Sequence, residues 1–336
     1  MHDASEFRRR LADFLISKGE PAEFIELTAD ASTREYFRVP WKGGSAVACV
    51  YPEGFHPATQ PYLDATRLFR EGGLPVAKIY DFDSESGIIV QEDMGDRVLR
   101  NILLESTGDV YSRLMNEAIS LIARIQTLTG KAFEIGSLAS RQSFDIAKLR
   151  WELDFFKQHY FETYRNQPLS TQDSDALDAE FDELARELAG RARVLCHRDF
   201  HTANLMIDND DHMRIIDHQD ARIGSPTYDL VSLLLDRITE LPSPEWLAER
   251  RRYFLDVRQR LGLSKIDEEE FANEFRLQTI QRCLKAAGTF SYQSAVRGKT
   301  YFIPFIKPMF GISRRGAESL GRFPTIQSIL SRELTV

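Results

Sequence analysis

A block of polar residues between short apolar runs, at residues 194–217, constrains the fold more than any other part of the sequence. The apolar run Val194-Leu195-Cys196 leads into the polar loop His197-Arg198-Asp199, and Asn204 then opens a second apolar run. The turn Asn209-Asp210-Asp211 sends the chain back along a third run that ends at Asp217. This pattern predicts a strand, a polar loop and a hairpin. In such a hairpin, Asp217 returns beside Asn204.

The predicted hairpin brings together side chains that suit phosphoryl transfer. Amide and carboxylate oxygens, such as those of Asn204 and Asp217, are ligands that Mg²⁺ prefers. Asp199 lies five residues before Asn204 and could orient or deprotonate a hydroxyl group. A base, two metal ligands and a nucleotide are the parts that phosphoryl transfer requires. We predict Asp199 as the catalytic residue and Asn204 and Asp217 as the metal ligands; the structural alternatives are a loop-capping aspartate and a turn asparagine.

The residues before this block predict a β-rich lobe. Five strand-like runs and one helix give the order β-β-β-α-β-β. The helix is expected over Pro61 to Glu71, where Gly72-Gly73 ends it. The segment from Pro40 to Gly44 is expected to break the chain after the second strand and to start a hairpin.

The remainder of the chain predicts helices. Leu149, Leu153, Phe156 and Tyr160 recur at intervals of four, three and four residues, which places them on one helix face. The last of the long helices that we predict runs from Glu268 to about Gly288. We therefore expect an α+β fold with a β-rich N-terminal lobe at residues 1–94 and a mostly α-helical C-terminal lobe at residues 95–336.

Composition excludes several classes of protein. The chain has 336 residues with 43 Lys and Arg against 51 Asp and Glu, a net charge of −8, so we expect no nucleic-acid partner. No apolar run is long enough to cross a membrane, and we expect no membrane partner. The three cysteines lie far apart, which predicts reduced thiols in a cytoplasmic protein rather than disulfides or a zinc site. The sequence does not indicate an oligomeric state.

The polar block also resembles a known catalytic loop. His197-Arg198-Asp199, Asn204 and Asp217 resemble the protein-kinase catalytic loop and its metal-binding aspartate. With His201, the loop is similar to the H-x-D-x-H-x-x-N loop of the aminoglycoside phosphotransferase family. The next helix starts at Tyr228, which leaves no room for an activation loop. The resemblance implies a two-lobed, protein-kinase-like fold that uses ATP and Mg²⁺.

Four further stretches resemble one branch of that family, the bacterial sugar kinases that phosphorylate the anomeric hydroxyl of N-acetylmuramate and N-acetylglucosamine. The likeness implies transfer of the γ-phosphoryl group of ATP to such a sugar. Two alternatives stay open: a phosphotransferase for an aminoglycoside or another small alcohol, and a pseudokinase-like module that only binds nucleotide. The four stretches are Ala29–Arg38, Gln91–Asp96, Ile216–Leu234 and Gln281–Phe290.

The resemblance also implies where the nucleotide binds. Ser32 and Thr33 would donate hydrogen bonds to phosphate, and the segment from Glu92 to Met94 would contact adenine. The third strand lacks the lysine that kinases place there. A triphosphate still requires positive charge nearby, so Arg34 is the first candidate to supply it and Arg38 the second.

The remaining candidates carry alternative roles. His197 is predicted to be structural. In the family, the residue that matches Asp229 braces the catalytic loop, although Asp229 could instead cap a helix. Asp220 could contact a second metal or the sugar, or cap its loop.

Other charged and imidazole groups near the block could reach substrate. His201 and His218 flank the predicted site. Arg282 and Lys285, followed by Arg297 and Lys299, would suit an acidic sugar if their segment lines the acceptor cleft. The alternative for these four is surface charge on a helix and its loop.

Overall fold

The computed structural model describes residues 4–27 and 34–335. In chain order, the strands are β1 Ile25–Leu27, β2 Glu35–Trp41, β3 Gly44–Val50, β4 Ile79–Asp83, β5 Ile88–Glu92, β6 Val194–Cys196, β7 Leu205–Ile207, β8 Met213–Ile215 and β9 Arg222–Gly224. The α-helices are α1 Ala4–Ser17, α2 Pro61–Glu71, α3 Leu99–Glu105, α4 Gly108–Thr127, α5 Thr129–Glu134, α6 Ile146–Lys157, α7 Thr171–Ala189, α8 Tyr228–Leu235, α9 Pro244–Arg260, α10 Glu268–Ala295, α11 Ile306–Leu320 and α12 Pro324–Thr335.

The chain forms two compact units. Unit 1 comprises Met1–Glu105 and Ala203–Asp220, and unit 2 comprises Ser106–Thr202 and Ala221–Val336. Unit 1 contains most of the strands and unit 2 is mostly helical, so the predicted α+β fold is confirmed. These units group residues by packing, whereas the predicted lobes, 1–94 and 95–336, are a functional division that stays a prediction.

A five-stranded antiparallel sheet forms the framework of unit 1, with the strand order β1-β2-β3-β5-β4. The predicted order of strands and helix in this part of the chain is confirmed, and α2 has the predicted bounds. Helix α1 covers one face of the sheet. It buries Phe7, Leu11, Phe14 and Leu15 in one cluster with residues of β2, β3 and β5.

The turn between β2 and β3 differs from the prediction in one respect. Lys42 and Gly43 form the turn with positive φ angles of 49° and 79°, which suit a tight hairpin. Pro40, expected to break the chain, instead lies inside β2 opposite Ser45. The pairing of β2 with β1 ends at Arg38, so no strand on that side requires the N–H group that proline lacks.

The predicted hairpin of the polar block is confirmed as β7 and β8, and it packs within unit 1. The backbone N–H of Ile207 donates to the carbonyl of Arg97 at 2.8 Å, and that of Ile215 donates to Pro75 at 2.9 Å. At the base of the hairpin, Ile216 N–H donates to the carbonyl of Asn204 at 3.1 Å. This last bond brings the segment that carries Asp217 back to Asn204.

Helix α10 is central to unit 2, where it packs against α6, α8 and α11. The predicted face of Leu149, Leu153, Phe156 and Tyr160 is buried, with Tyr160 in the π-helical turn that follows α6. The predicted end of α10 near Gly288 is wrong, since the helix continues to Ala295. Gly288 allows α10 to lie close to α6, because a Cβ at this position would lie 2.6 Å from the Cα of Phe156.

Among the described helices, none has the length and apolar character needed to cross a membrane.

Candidate active site

Unit 1 contains a cavity of about 650 Å³ beside the hairpin. Part of its lining comes from the sheet, through residues of β1, β2, β3 and β5, and from α2. The rest comes from Arg34, from the segment between β5 and the start of α3, and from the hairpin with its flanking residues. This volume lies in the range of small-molecule and cofactor sites. Six of the residues predicted for the site line this cavity: Arg34, Glu92, Met94, Asn204, Asp217 and Asp220. Ser32 and Thr33 lie outside the described residues.

The structure brings Asn204 and Asp217 together. The Nδ2 atom of Asn204 lies 3.3 Å from Oδ2 of Asp217, and Gln219 Nε2 donates to Asp217 Oδ1 at 2.9 Å. Asp217 has a φ angle of 61°, a left-handed conformation that non-glycine residues seldom adopt. Such strain persists only where the surrounding structure imposes it. The adjacent carboxylate and amide oxygens are hard donors, and their chemistry fits Mg²⁺.

Arg34 supplies positive charge beside this pair. Its Nη2 atom lies 3.5 Å from Asp217 Oδ1, and its guanidinium lies over the rings of Tyr36 and Tyr51 at 5.7 and 5.8 Å. The second candidate, Arg38, is engaged elsewhere, since it forms ion pairs with Asp93 at 2.7 Å and with Asp96 at 2.8 Å. Of the two arginines, Arg34 therefore stands where a phosphate in the cavity could meet it.

Asp199 belongs to unit 2, where three cations surround its carboxylate. Lys285 Nζ lies 3.6 Å and Arg282 Nη2 lies 3.7 Å from Oδ1, while Arg198 Nη1 lies 3.7 Å from Oδ2. Burial alone would raise the pKa of Asp199, but Lys285, Arg198 and Arg282 hold that pKa well below its usual range. The carboxylate is therefore ionised at neutral pH.

The predicted site residues do not include Arg282 and Lys285, although their segment is predicted as a possible lining of the acceptor cleft. They lie one helical turn apart on α10, and both side chains are largely buried. The alternative of surface charge is thus wrong for these two residues. Arg297, by contrast, is exposed beyond the end of α10. The sequence feature that could have identified this pair is the spacing of three residues between Arg282 and Lys285, which places both cations on one helix face.

Asp229 binds the loop that carries Asp199. Its fully buried carboxylate accepts the backbone N–H of His197 at 2.7 Å and that of Arg198 at 3.0 Å. Arg198 has a φ angle of 85°, so the loop is strained at the residue that Asp229 holds. Burial raises the pKa of Asp229 to about 7, although the two N–H donors oppose the rise. These contacts go to the loop rather than to the start of α8.

The histidines have different environments. His197 is fully buried, with its ring 5.5 Å from that of Phe200. His201 is partly exposed in unit 2, and its backbone N–H donates to the carbonyl of Asp199 at 3.0 Å. The expectation that His218 could reach substrate is wrong. Its ring is fully buried and lies 2.7 Å from the hydroxyl of Thr66.

The chain belongs to the phosphotransferase enzyme family, whose sequence model matches residues 23–263. It is 29% identical to the N-acetylmuramate/N-acetylglucosamine kinase of Neisseria meningitidis serogroup B, over 89% of each chain. It is 28% identical to the kinase of the same name from Pseudomonas aeruginosa, over 86% of this chain and 82% of that protein. The predicted resemblance and the prediction of a small-molecule kinase are confirmed.

Solved structures support the predicted kinase-like fold. The choline kinase LicA from Streptococcus pneumoniae superposes with a TM-score of 0.57 at 15% identity, over 93% of this chain and 98% of that chain. A thermostable mutant of aminoglycoside phosphotransferase APH(4)-Ia gives a TM-score of 0.54 at 16% identity, over 90% and 98%. At these identities the likeness concerns the fold alone, and the predicted α+β, protein-kinase-like class is confirmed.

Proposed function

We propose that this phosphotransferase moves the γ-phosphoryl group of ATP to a sugar hydroxyl, the anomeric one of N-acetylmuramate or N-acetylglucosamine. The observation that carries the proposal is the Asp199 carboxylate, which neighbouring cations keep ionised, five residues before the Asn204 of the Asn204–Asp217 pair. The names of the curated relatives supply the two acceptor sugars.

The proposed nucleotide site is the cavity of unit 1. Backbone groups of Glu92 and Met94 would hold the base, and Arg34 would meet the phosphates. The phosphate contacts predicted for Ser32 and Thr33 concern residues outside those that the structure describes. Asn204 and Asp217 would hold Mg²⁺, which would neutralise charge on the phosphate oxygens when bound. ATP is available in the cytoplasm, and the three buried free cysteines also suit that compartment.

Asp199 would accept a hydrogen bond from the acceptor hydroxyl and align it for attack. A bond forms from the sugar oxygen to the γ-phosphorus, the bond from that phosphorus to ADP breaks, and the hydroxyl proton passes to Asp199 and then to water. A carboxylate whose pKa is held so low is a weak proton acceptor, so it suits an acidic hydroxyl. The anomeric hydroxyl is more acidic than other sugar hydroxyls, because the ring oxygen withdraws electrons from its carbon.

The charges around Asp199 also argue against cationic acceptors. Lys285, Arg282 and Arg198 all lie within 3.7 Å of its carboxylate. An aminoglycoside or a choline-like alcohol would bring further positive charge to these three cations, and like charges repel. A neutral or acidic sugar meets no such penalty.

An ADP-release assay with N-acetylmuramate, N-acetylglucosamine and kanamycin tests the proposal. We expect turnover on the two sugars and little on kanamycin. Asp199→Asn should abolish nearly all turnover and leave ATP binding intact. The matched control is Asp256→Asn, which changes an exposed aspartate on α9 and should behave as wild type.

Three results would overturn the proposal in different ways. Full activity of Asp199→Asn would show that Asp199 takes no part in the reaction. Turnover of kanamycin alone would establish the aminoglycoside alternative. ATP binding without turnover of any acceptor would establish the nucleotide-binding module.

A further inference from the structure

Three cations lie within ion-pair distance of Asp199. Lys285 and Arg282 approach the same oxygen, Oδ1, at 3.6 and 3.7 Å, while Arg198 approaches Oδ2 at 3.7 Å. One carboxylate therefore faces three cations. Such an arrangement attracts a further anionic group.

The other acids that act on these cations are already engaged or lie farther away. Glu152 is fully buried, lies 3.8 Å from Lys148 Nζ and accepts a hydrogen bond from Gln281 Nε2 at 2.8 Å. Asp236 acts on Arg282 through its charge but forms no ion pair with it among the described residues. Asp229, which also acts on Arg282, is held by the backbone N–H groups of His197 and Arg198. Among the described residues, Asp199 is therefore the one acid within ion-pair distance of Lys285.

Lys285 and Arg282 differ in what holds them. Arg282 is only 7% exposed, and its Nη2 atom donates to the hydroxyl of Ser232 at 3.1 Å. Lys285 has its ion pair to Asp199 at 3.6 Å, a separation longer than a hydrogen bond, and its ammonium donates no hydrogen bond within residues 4–27 and 34–335.

The environment of Lys285 favours a ligand that carries negative charge. Its side chain is 17% exposed, so a ligand can reach the ammonium. Burial lowers the pKa of Lys285, and the charge of Arg282 lowers it further. A ligand carboxylate would accept the unused N–H bonds and would stabilise the charged form.

We propose that Lys285 Nζ binds the carboxylate of an acidic acceptor sugar, with Arg282 adding positive charge beside it, so that Lys285 determines acceptor specificity. This inference rests on the proposed function and deepens it. The two sugars named for the curated relatives differ in a lactyl ether, which carries a carboxylate in N-acetylmuramate and is missing from N-acetylglucosamine. Lys285 would bind that group and would contribute little to binding the neutral sugar.

The experiment compares the two sugars on Lys285→Met, at saturating ATP and Mg²⁺. We expect kcat/KM for N-acetylmuramate to fall about tenfold to hundredfold, mainly through KM, as loss of a charge-assisted hydrogen bond predicts. The value for N-acetylglucosamine should fall by less than about threefold at neutral pH, because Arg282 and Arg198 still lie beside Asp199 and keep it ionised. Lys307→Met, which alters an exposed lysine on α11, is the matched control and should leave both values unchanged.

The possible failures are distinguishable. An equal loss on both sugars, or a loss confined to kcat, would mean that Lys285 serves the common chemistry, which overturns this inference and leaves the proposed function intact. If the wild-type enzyme turned over neither sugar, the proposed function and the inference would both be overturned. If Lys285→Met does not fold, Lys285→Gln removes the same charge, and its comparison of the two sugars decides the matter.

Discussion

Gly288 gives a quantitative test of the helix packing that supports the Asp199 site. A Cβ on Gly288 would lie 2.6 Å from Cα, 3.0 Å from N and 3.2 Å from Cβ of Phe156 on α6. None of these atoms can rotate away, so Gly288→Ala must move α6 relative to α10. The same two helices are joined by the buried hydrogen bond from Gln281 to Glu152 at 2.8 Å.

The magnitude follows from two opposing effects. Overpacking of a core costs about 1–3 kcal/mol, and a clash with backbone atoms belongs at the upper end of that range. Alanine regains about 1 kcal/mol over glycine through its higher helix propensity. We therefore expect Gly288→Ala to lose about 2 kcal/mol of unfolding free energy. Gly130 on α5 is the matched control, because a Cβ there meets nothing within 4 Å. Gly130→Ala should gain up to about 1 kcal/mol.

Urea unfolding of the two variants and the wild type measures these differences, provided that the denaturant slope stays the same. Lys285 lies one helical turn before Gly288 on α10, so a displaced helix should also raise KM for the acceptor sugar. If Gly288→Ala is as stable as wild type or more stable, the reasoning about close approach of α6 and α10 is refuted.

The next predictions concern both halves of the proposed chemistry. Arg34→Met should weaken ATP binding about tenfold or more, because it removes the cation beside Asp217. Calorimetry with an unreactive ATP analogue measures the affinity. An unchanged affinity would exclude Arg34 from the nucleotide site. The pH profile of kcat/KM should show no acid limb from Asp199 down to about pH 4, where an ordinary aspartate is already about half protonated, because the neighbouring cations depress the pKa of Asp199. Lys285→Met should raise the pKa of Asp199, and a profile that moves toward acid instead would contradict the sign.

Local sequence patterns predicted the parts of the site that depend on turns. Asn204 and Asp217 are brought together by a hairpin of two short strands, and its turn residues are visible in the sequence. The bounds of α2 follow from Pro61 at its start and from the glycines after its end. In these cases, the residues that decide the geometry are near neighbours in the chain, so no knowledge of packing was required.

The features that the sequence did not predict depend on contacts between distant segments. Gly288 predicts a helix end, because glycine is a poor helix former. Only the position of Phe156 shows that this glycine instead allows α10 to lie close to α6. His218 follows the predicted metal ligand Asp217, so it reads as a site residue. Its ring nevertheless lies 4.9 Å from that of Tyr62 and 5.4 Å from that of Phe69, within the core of unit 1.

Lys285 shows why charge alone could not identify an acceptor residue. The spacing on α10 places Arg282 and Lys285 on one face, but a helix that is surrounded by others has no face that sequence alone assigns to substrate. The buried hydrogen bond from Gln281 to Glu152 joins α10 to α6, and on the same helix Arg282 and Lys285 lie 3.7 and 3.6 Å from Asp199. Because that hydrogen bond joins two distant segments, the sequence left two alternatives for these cations: a lining of the acceptor cleft or surface charge on a helix. The same reasoning makes Gln281 a test of the site, since Gln281→Leu should disturb acceptor binding while leaving the nucleotide cavity of unit 1 unchanged.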